Sequence, residues 1–201
     1  MDDLDLLKKD WKKQETSFTQ IGEKDIYDML HKRSSSIVKW ILIISILEFL
    51  ILNGLGILIS DKEIDNFEKL HPYLNSIEKA NYFILLGFIY LFYQNYKAIS
   101  VLDSSKKLIK DIIKTRKIVN FYIYWNVFIS SFLGSFAFID GFKSGFANSG
   151  TKPISDLGFM IIFIFSMLFL VALVIAFYKV LYGILLSRLN RNYKELRKID
   201  Y

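Results

Sequence analysis

The sequence predicts an all-α, polytopic membrane protein: a four-transmembrane-helix bundle with helical cytoplasmic extensions. Three observations predict it. Apolar stretches run over 37–59, 77–98, 118–139 and 157–186. Hydrophobic residues make up 53% of the 201-residue chain, and its mean hydropathy is positive. Basic residues gather in alternate connecting segments. About 20 apolar residues cross a ~30 Å hydrocarbon core as a helix; three stretches are near that length and the fourth exceeds it. A soluble domain needs only one apolar stripe per helix.

The first 36 residues form a charged arm. Leu4, Leu7 and Trp11 recur at helical spacing, with aspartates before them and lysines after, as the helix dipole favours. Gly22 interrupts, and 24–33 reads as a second short helix. Ser34, Ser35 and Ser36 then make either a brief break or a small-residue entry into the first span. No signal peptide precedes it, so the first span is expected to remain as an anchor.

The charge distribution orients the spans. Eighteen basic residues lie in the arm, the 102–117 loop and the 187–201 tail, against five in the other two loops. By the positive-inside rule both termini and the middle loop face the cytoplasm, in a multi-pass membrane protein. Within the middle loop Leu108, Ile109, Ile112 and Ile113 make one stripe, and Lys106, Lys107, Lys110, Lys114 and Lys117 another. This fits a basic helix on anionic headgroups, or a helical hairpin projecting beyond the bilayer. The lysines are equally explained by topology alone. In the tail Leu185, Leu189, Tyr193 and Leu196 continue a helical stripe, so one helix over about 157–199 is expected. The outer loop over 140–156, rich in Gly, Ser, Asn and Pro, reads as turns.

Glu48 is the sharpest feature. It lies 11 residues into the first span, where an ionisable side chain costs about 2.5–3.5 kcal/mol on insertion scales. Counted from the cytoplasmic boundaries, Gln94, Asn126 and Lys179 fall at similar or slightly shallower depths on the other spans. An intramembrane polar layer of Glu48, Gln94, Asn126 and Lys179 follows. It serves either as a proton- or cation-linked site or as a polar clasp fixing helix register. Ser130 with Gly134, and Ser131 with Ser135, give small-xxx-small spacings that suit intramolecular packing and a homo-oligomer equally.

Several classes are excluded or unsupported. There is no cysteine, and two histidines, His31 and His71, cannot supply an imidazole-rich metal centre. No phosphate-binding glycine loop, HExxH or nucleophile elbow occurs, so no enzyme, metal or cofactor is expected. The excess of basic residues follows topology and does not argue for nucleic acid.

The segments 7–15, 26–40 and 107–117, with Lys8-Lys9-Asp10-Trp11-Lys12-Lys13, His31-Lys32-Arg33 and Lys114-Thr115-Arg116-Lys117 at their centres, resemble small uncharacterised four-span inner-membrane proteins of flavobacteria and relatives. Some of these resemble products encoded beside alternative sigma factors, which implies a membrane-anchored regulator. Some carry a carotene-oxygenase description, whose four-histidine iron site this sequence lacks. The leading expectation is a non-enzymatic scaffold or regulator that binds a cytoplasmic protein partner through Leu4, Leu7 and Trp11. The alternatives are a small transporter or channel built around Glu48, and a membrane immunity or effector protein.

Overall fold

The computed structural model describes residues 22–58, 69–101, 104–149 and 155–199. Five helices follow in order: α1 (Glu23–Leu58), α2 (Pro72–Ser100), α3 (Ser105–Ser149), α4 (Asp156–Leu181) and α5 (Gly183–Ile199). No strand occurs among the described residues. Each helix packs against the next, and α1 and α3 also pack on α5. From α1 to α4 each helix runs antiparallel to the one before it, and α5 continues α4.

Three segments are long and apolar enough to cross a membrane: Glu23–Leu52, Ser105–Phe146 and Leu157–Leu181. The last is apolar all round, and Leu157, Met160, Phe165, Leu168 and Phe169 are exposed along it. Only a hydrocarbon solvent suits such a helix. The α2 helix differs from these three. Its 29 residues would reach about 43 Å, but Asn81, Tyr82, Tyr90, Tyr93, Gln94 and Asn95 dilute its hydropathy.

Three local expectations change. First, 24–33 and the first apolar stretch form one unbroken helix through Ser34–Ser36. The small side chains admit α5: Ser34 is buried, and Asn192 Nδ2 donates to its Oγ at 3.1 Å. Second, α3 runs on to Ser149 through the residues expected to turn. Phe138, Phe142 and Phe146 stack at i,i+4 with centroids 6.2 and 4.7 Å apart, and these contacts offset the helix-weakening Gly141 and Gly145. Third, the expected single helix over 157–199 is interrupted at Tyr182, before Gly183. The hydrogen bonds continue across this residue, from Tyr182 N–H to Tyr178 O and from Leu186 N–H to Tyr182 O, so the interruption is a local bend in the ladder.

The ends of the bundle differ in chemistry. At one, the start of α1, the end of α2, the start of α3 and α5 share a core containing Leu30, Ile99, Leu108, Ile112, Leu189 and Leu196. A ring N–H of His31 donates to Ile99 O at 2.6 Å there. Lys106, Lys107, Lys110, Lys114 and Lys117 are all exposed around this cap, opposite buried Leu108 and Ile112. At the other end His71 Nε2 lies 3.7 Å from the Asp140 carboxylate. Between the ends, Ser131 and Ser135 of α3 are buried, and a Cβ on Gly134 would lie 3.2 Å from Leu170 Cδ1 of α4. Gly134 therefore admits α4 closely within one chain, whereas Ser130 is exposed.

Candidate functional site

Glu48 projects from α1 into the bundle and is 8% exposed. Tyr178 lies on α4, and Tyr182 lies one turn later at the α4–α5 junction. Spacing of i,i+4 brings both hydroxyls to one face. Tyr178 Oη donates to Glu48 Oε1, and Tyr182 Oη donates to Oε2 at 2.9 Å. Tyr122 of α3 approaches the same carboxylate. Each carboxylate oxygen thus has a phenolic donor, which replaces part of the hydration that burial removes.

Aromatic packing fixes these donors. The Tyr178 and Tyr182 rings stack with centroids 5.9 Å apart. The Tyr122 ring meets both edge-on, at 6.1 and 5.8 Å. Phe88 and Phe92 of α2 close the far side of Tyr122 at 5.3 and 5.4 Å. All three tyrosines are buried. Rings held edge-to-face have little freedom, so the hydroxyls are preorganised around the carboxylate.

On its other side Glu48 opens onto a cleft of about 190 Å³ between α1, α2 and α3. Glu78, Asn81 and Tyr82 of α2 line it, as do Asn126 and Ser130 of α3. Tyr82 Oη donates to Glu78 Oε1 at 2.7 Å, and Trp125 Nε1 donates to Asn81 Oδ1 at 2.8 Å. Among the described residues two carboxylates line this cleft and no basic side chain does, so their field favours a cation. Glu78 is exposed and marks the open side. Among the described residues no three His, Cys, Asp or Glu side chains come together as a metal ion requires.

The expected polar layer is only partly assembled. Asn126 is buried beside Glu48 in the cleft, but its Nδ2 donates to Tyr122 O on its own helix at 2.8 Å. Gln94 and Lys179 are exposed and face away. Lys179 follows Tyr178, so the ~100° helical step that points Tyr178 inward turns Lys179 outward. Gln94 yields the interior to its neighbour Asn95, which is 2% exposed. The carboxylate's partners are tyrosines that also suit an interfacial aromatic belt, and the signal that separates the two roles is their i,i+4 pairing. Leu4, Leu7 and Trp11 lie outside the described residues. The five lysines of the basic stripe are exposed on α3, and none of them lines the Glu48 cleft.

No curated protein and no solved structure matches the chain. Residues 24–201 match a family model described as a domain of unknown function, DUF8845. That match spans all five helices, and the chain belongs to this family.

Proposed function

We propose that the chain is a four-pass protein of the bacterial cytoplasmic membrane, with both termini inside the cell. In this reading Glu48 is the proton- or cation-accepting group of a small transporter. The number of passes rests on α2. It carries the chain from the His71–Asp140 end to the His31–Ile99 end, antiparallel to α1 and α3. A crossing α2 puts the arm, the start of α3 and the tail on one side, where the positive-inside rule wants their eighteen cations.

One observation carries the transport reading: Glu48 is held by two tyrosine hydroxyls at the inner wall of a cleft whose charged lining, among the described residues, is acidic. A bare polar clasp has no need of a cavity beside it. The volume of about 190 Å³ holds roughly six waters at ~30 Å³ each, which suits a proton carried by water or a small cation. Tyr178 and Tyr182 orient the carboxylate, Asn126 and Asn81 offer amide oxygens along the cleft, and Glu78 draws cations to its open side. Proteoliposomes with an imposed proton or monovalent-cation gradient test this. Wild-type chain should dissipate the gradient, and Glu48→Gln, which keeps the size and the acceptor oxygen, should abolish the flux while preserving the fold. Flux that is unchanged in Glu48→Gln, or absent from wild type, would overturn the reading.

The packed cap favours a second reading, a scaffold or regulator. The starts of α1 and α3 and the whole of α5 share a core, which supports a firm platform beside the 1–21 arm. A cytoplasmic protein partner held by the arm should co-purify with the full chain and be lost on deleting residues 1–20. An unchanged pull-down together with an unchanged transcript profile would exclude it.

A further inference from the structure

A hollow apart from Glu48 lies between α2 and α3. It measures about 600 Å³, and its walls include Ile84, Gly87 and Leu91 of α2 and Ile118 and Phe121 of α3. Gly87 helps keep it open: a Cβ there would meet no atom within 4 Å, so no neighbour occupies the space its missing side chain leaves. Ile84, Leu91 and Phe121 are exposed along the groove, so it faces whatever surrounds the bundle. Around these apolar helices that medium is lipid.

The lining has one charged member, Lys117. It stands where the basic stripe of α3 meets the apolar stretch beginning at Ile118. It is exposed, and no ion pair holds it among the described residues. Lys114 and Lys110, one and two turns back along α3, are exposed as well. The geometry points to a seat for one anionic phospholipid: an acyl chain fills the groove over Gly87, and the headgroup phosphate sits on Lys117. Any lipid supplies the chain, but only an anionic one leaves net negative charge for the lysines beyond Lys117 to meet. This site is independent of Glu48 and of any transport.

The test uses the full chain in phosphatidylcholine nanodiscs doped with phosphatidylglycerol, released into detergent and weighed by native mass spectrometry. Wild type should retain phosphatidylglycerol over phosphatidylcholine. Lys117→Gln should reduce that preference about fivefold, the factor one basic residue near an anionic surface commands. Lys110→Gln, outside the groove, should change it less. Gly87→Leu, whose Cβ would meet no atom within 4 Å and whose side chain occupies the groove, should reduce retention of both lipids. Equal losses in Lys117→Gln and Lys110→Gln would show diffuse attraction and overturn the seat. Undiminished lipid in Gly87→Leu would overturn it as well.

Discussion

Converting both Tyr178 and Tyr182 to Phe should lower the stability of the bundle by about 2–3 kcal/mol, as read by reversible unfolding in bicelles. The rings stay, so their packing against Tyr122 is kept and only the two donors to Glu48 are lost. Hydrogen bonds to charged groups contribute about 1.5–3 kcal/mol each in soluble proteins. Side-chain bonds inside membranes average about 0.6 and reach about 1.7 kcal/mol, because the unfolded chain in lipid also finds partners. Two bonds to one buried carboxylate belong near the upper end of the membrane range. The sharper result comes from Glu48→Leu in two backgrounds. In wild type it relieves an insertion cost of about 2.5–3.5 kcal/mol but orphans two buried hydroxyls at about 1–3 kcal/mol each, so the two effects roughly cancel. In the double-Phe background those two hydroxyls are gone and only Tyr122 loses its carboxylate neighbour, so the same change should be more favourable than in wild type. The coupling across this cycle should be about 2 kcal/mol or more. Additive effects would show that the hydroxyls and the carboxylate do not hold each other.

The same cluster shows what a sequence can and cannot disclose. Glu48 was conspicuous because its cost is local: a carboxylate in an apolar run needs compensation wherever the helix goes. Its partners were not, because counting along a span gives depth without azimuth. Gln94 and Lys179 lie at a suitable depth, yet both face outward. Asn126 has both depth and direction, yet it spends its donor on Tyr122 O one turn back. The tyrosines were visible as rings near one membrane face, a description that fits Tyr124, exposed on α3, as well as buried Tyr178. Only the packing of α4 on α3 and of α5 on α1 turns two of them toward the acid.

Helix identity was legible almost throughout, since long apolar periods and scarce prolines leave few alternatives. The ends were less so. Gly141 and Gly145 weaken a helix on their own, and the phenylalanine ladder that carries α3 past them acts between turns. Ser34 leaves a break and a small-residue entry equally open until Asn192, 158 residues away, comes to rest on it and selects the entry. Cap residues such as Leu189 and Leu196 were legible as a stripe, because burial on one face of a helix imprints its own period.

The number of passes is open to an all-or-none measurement, because the chain has no cysteine of its own. Lys24, Ser104 and Ser144 are exposed. Lys24 precedes the α1 crossing, Ser104 stands between α2 and α3, and Ser144 lies beyond the apolar part of α3. Single substitutions Lys24→Cys, Ser104→Cys and Ser144→Cys should each leave the fold intact. With a membrane-impermeant maleimide, Ser144→Cys should label in intact cells, whereas Lys24→Cys and Ser104→Cys should label only after permeabilisation. The discrimination comes from parity. If α2 crosses, the chain returns to its starting side before α3, and positions 24 and 104 must behave alike. If α2 lies on the surface, as its weaker hydropathy permits, position 104 stays with the far side of α1 and positions 24 and 104 must differ. Their agreement with each other and disagreement with 144 requires that α1, α2 and α3 all cross, and shielding of 24 puts the N-terminus inside; shielding of Ser187→Cys, beyond α4, then requires the fourth pass. Charge favours that outcome, since a surface-bound α2 would strand the lysines at 106, 107, 110, 114 and 117 on the side opposite those of the arm.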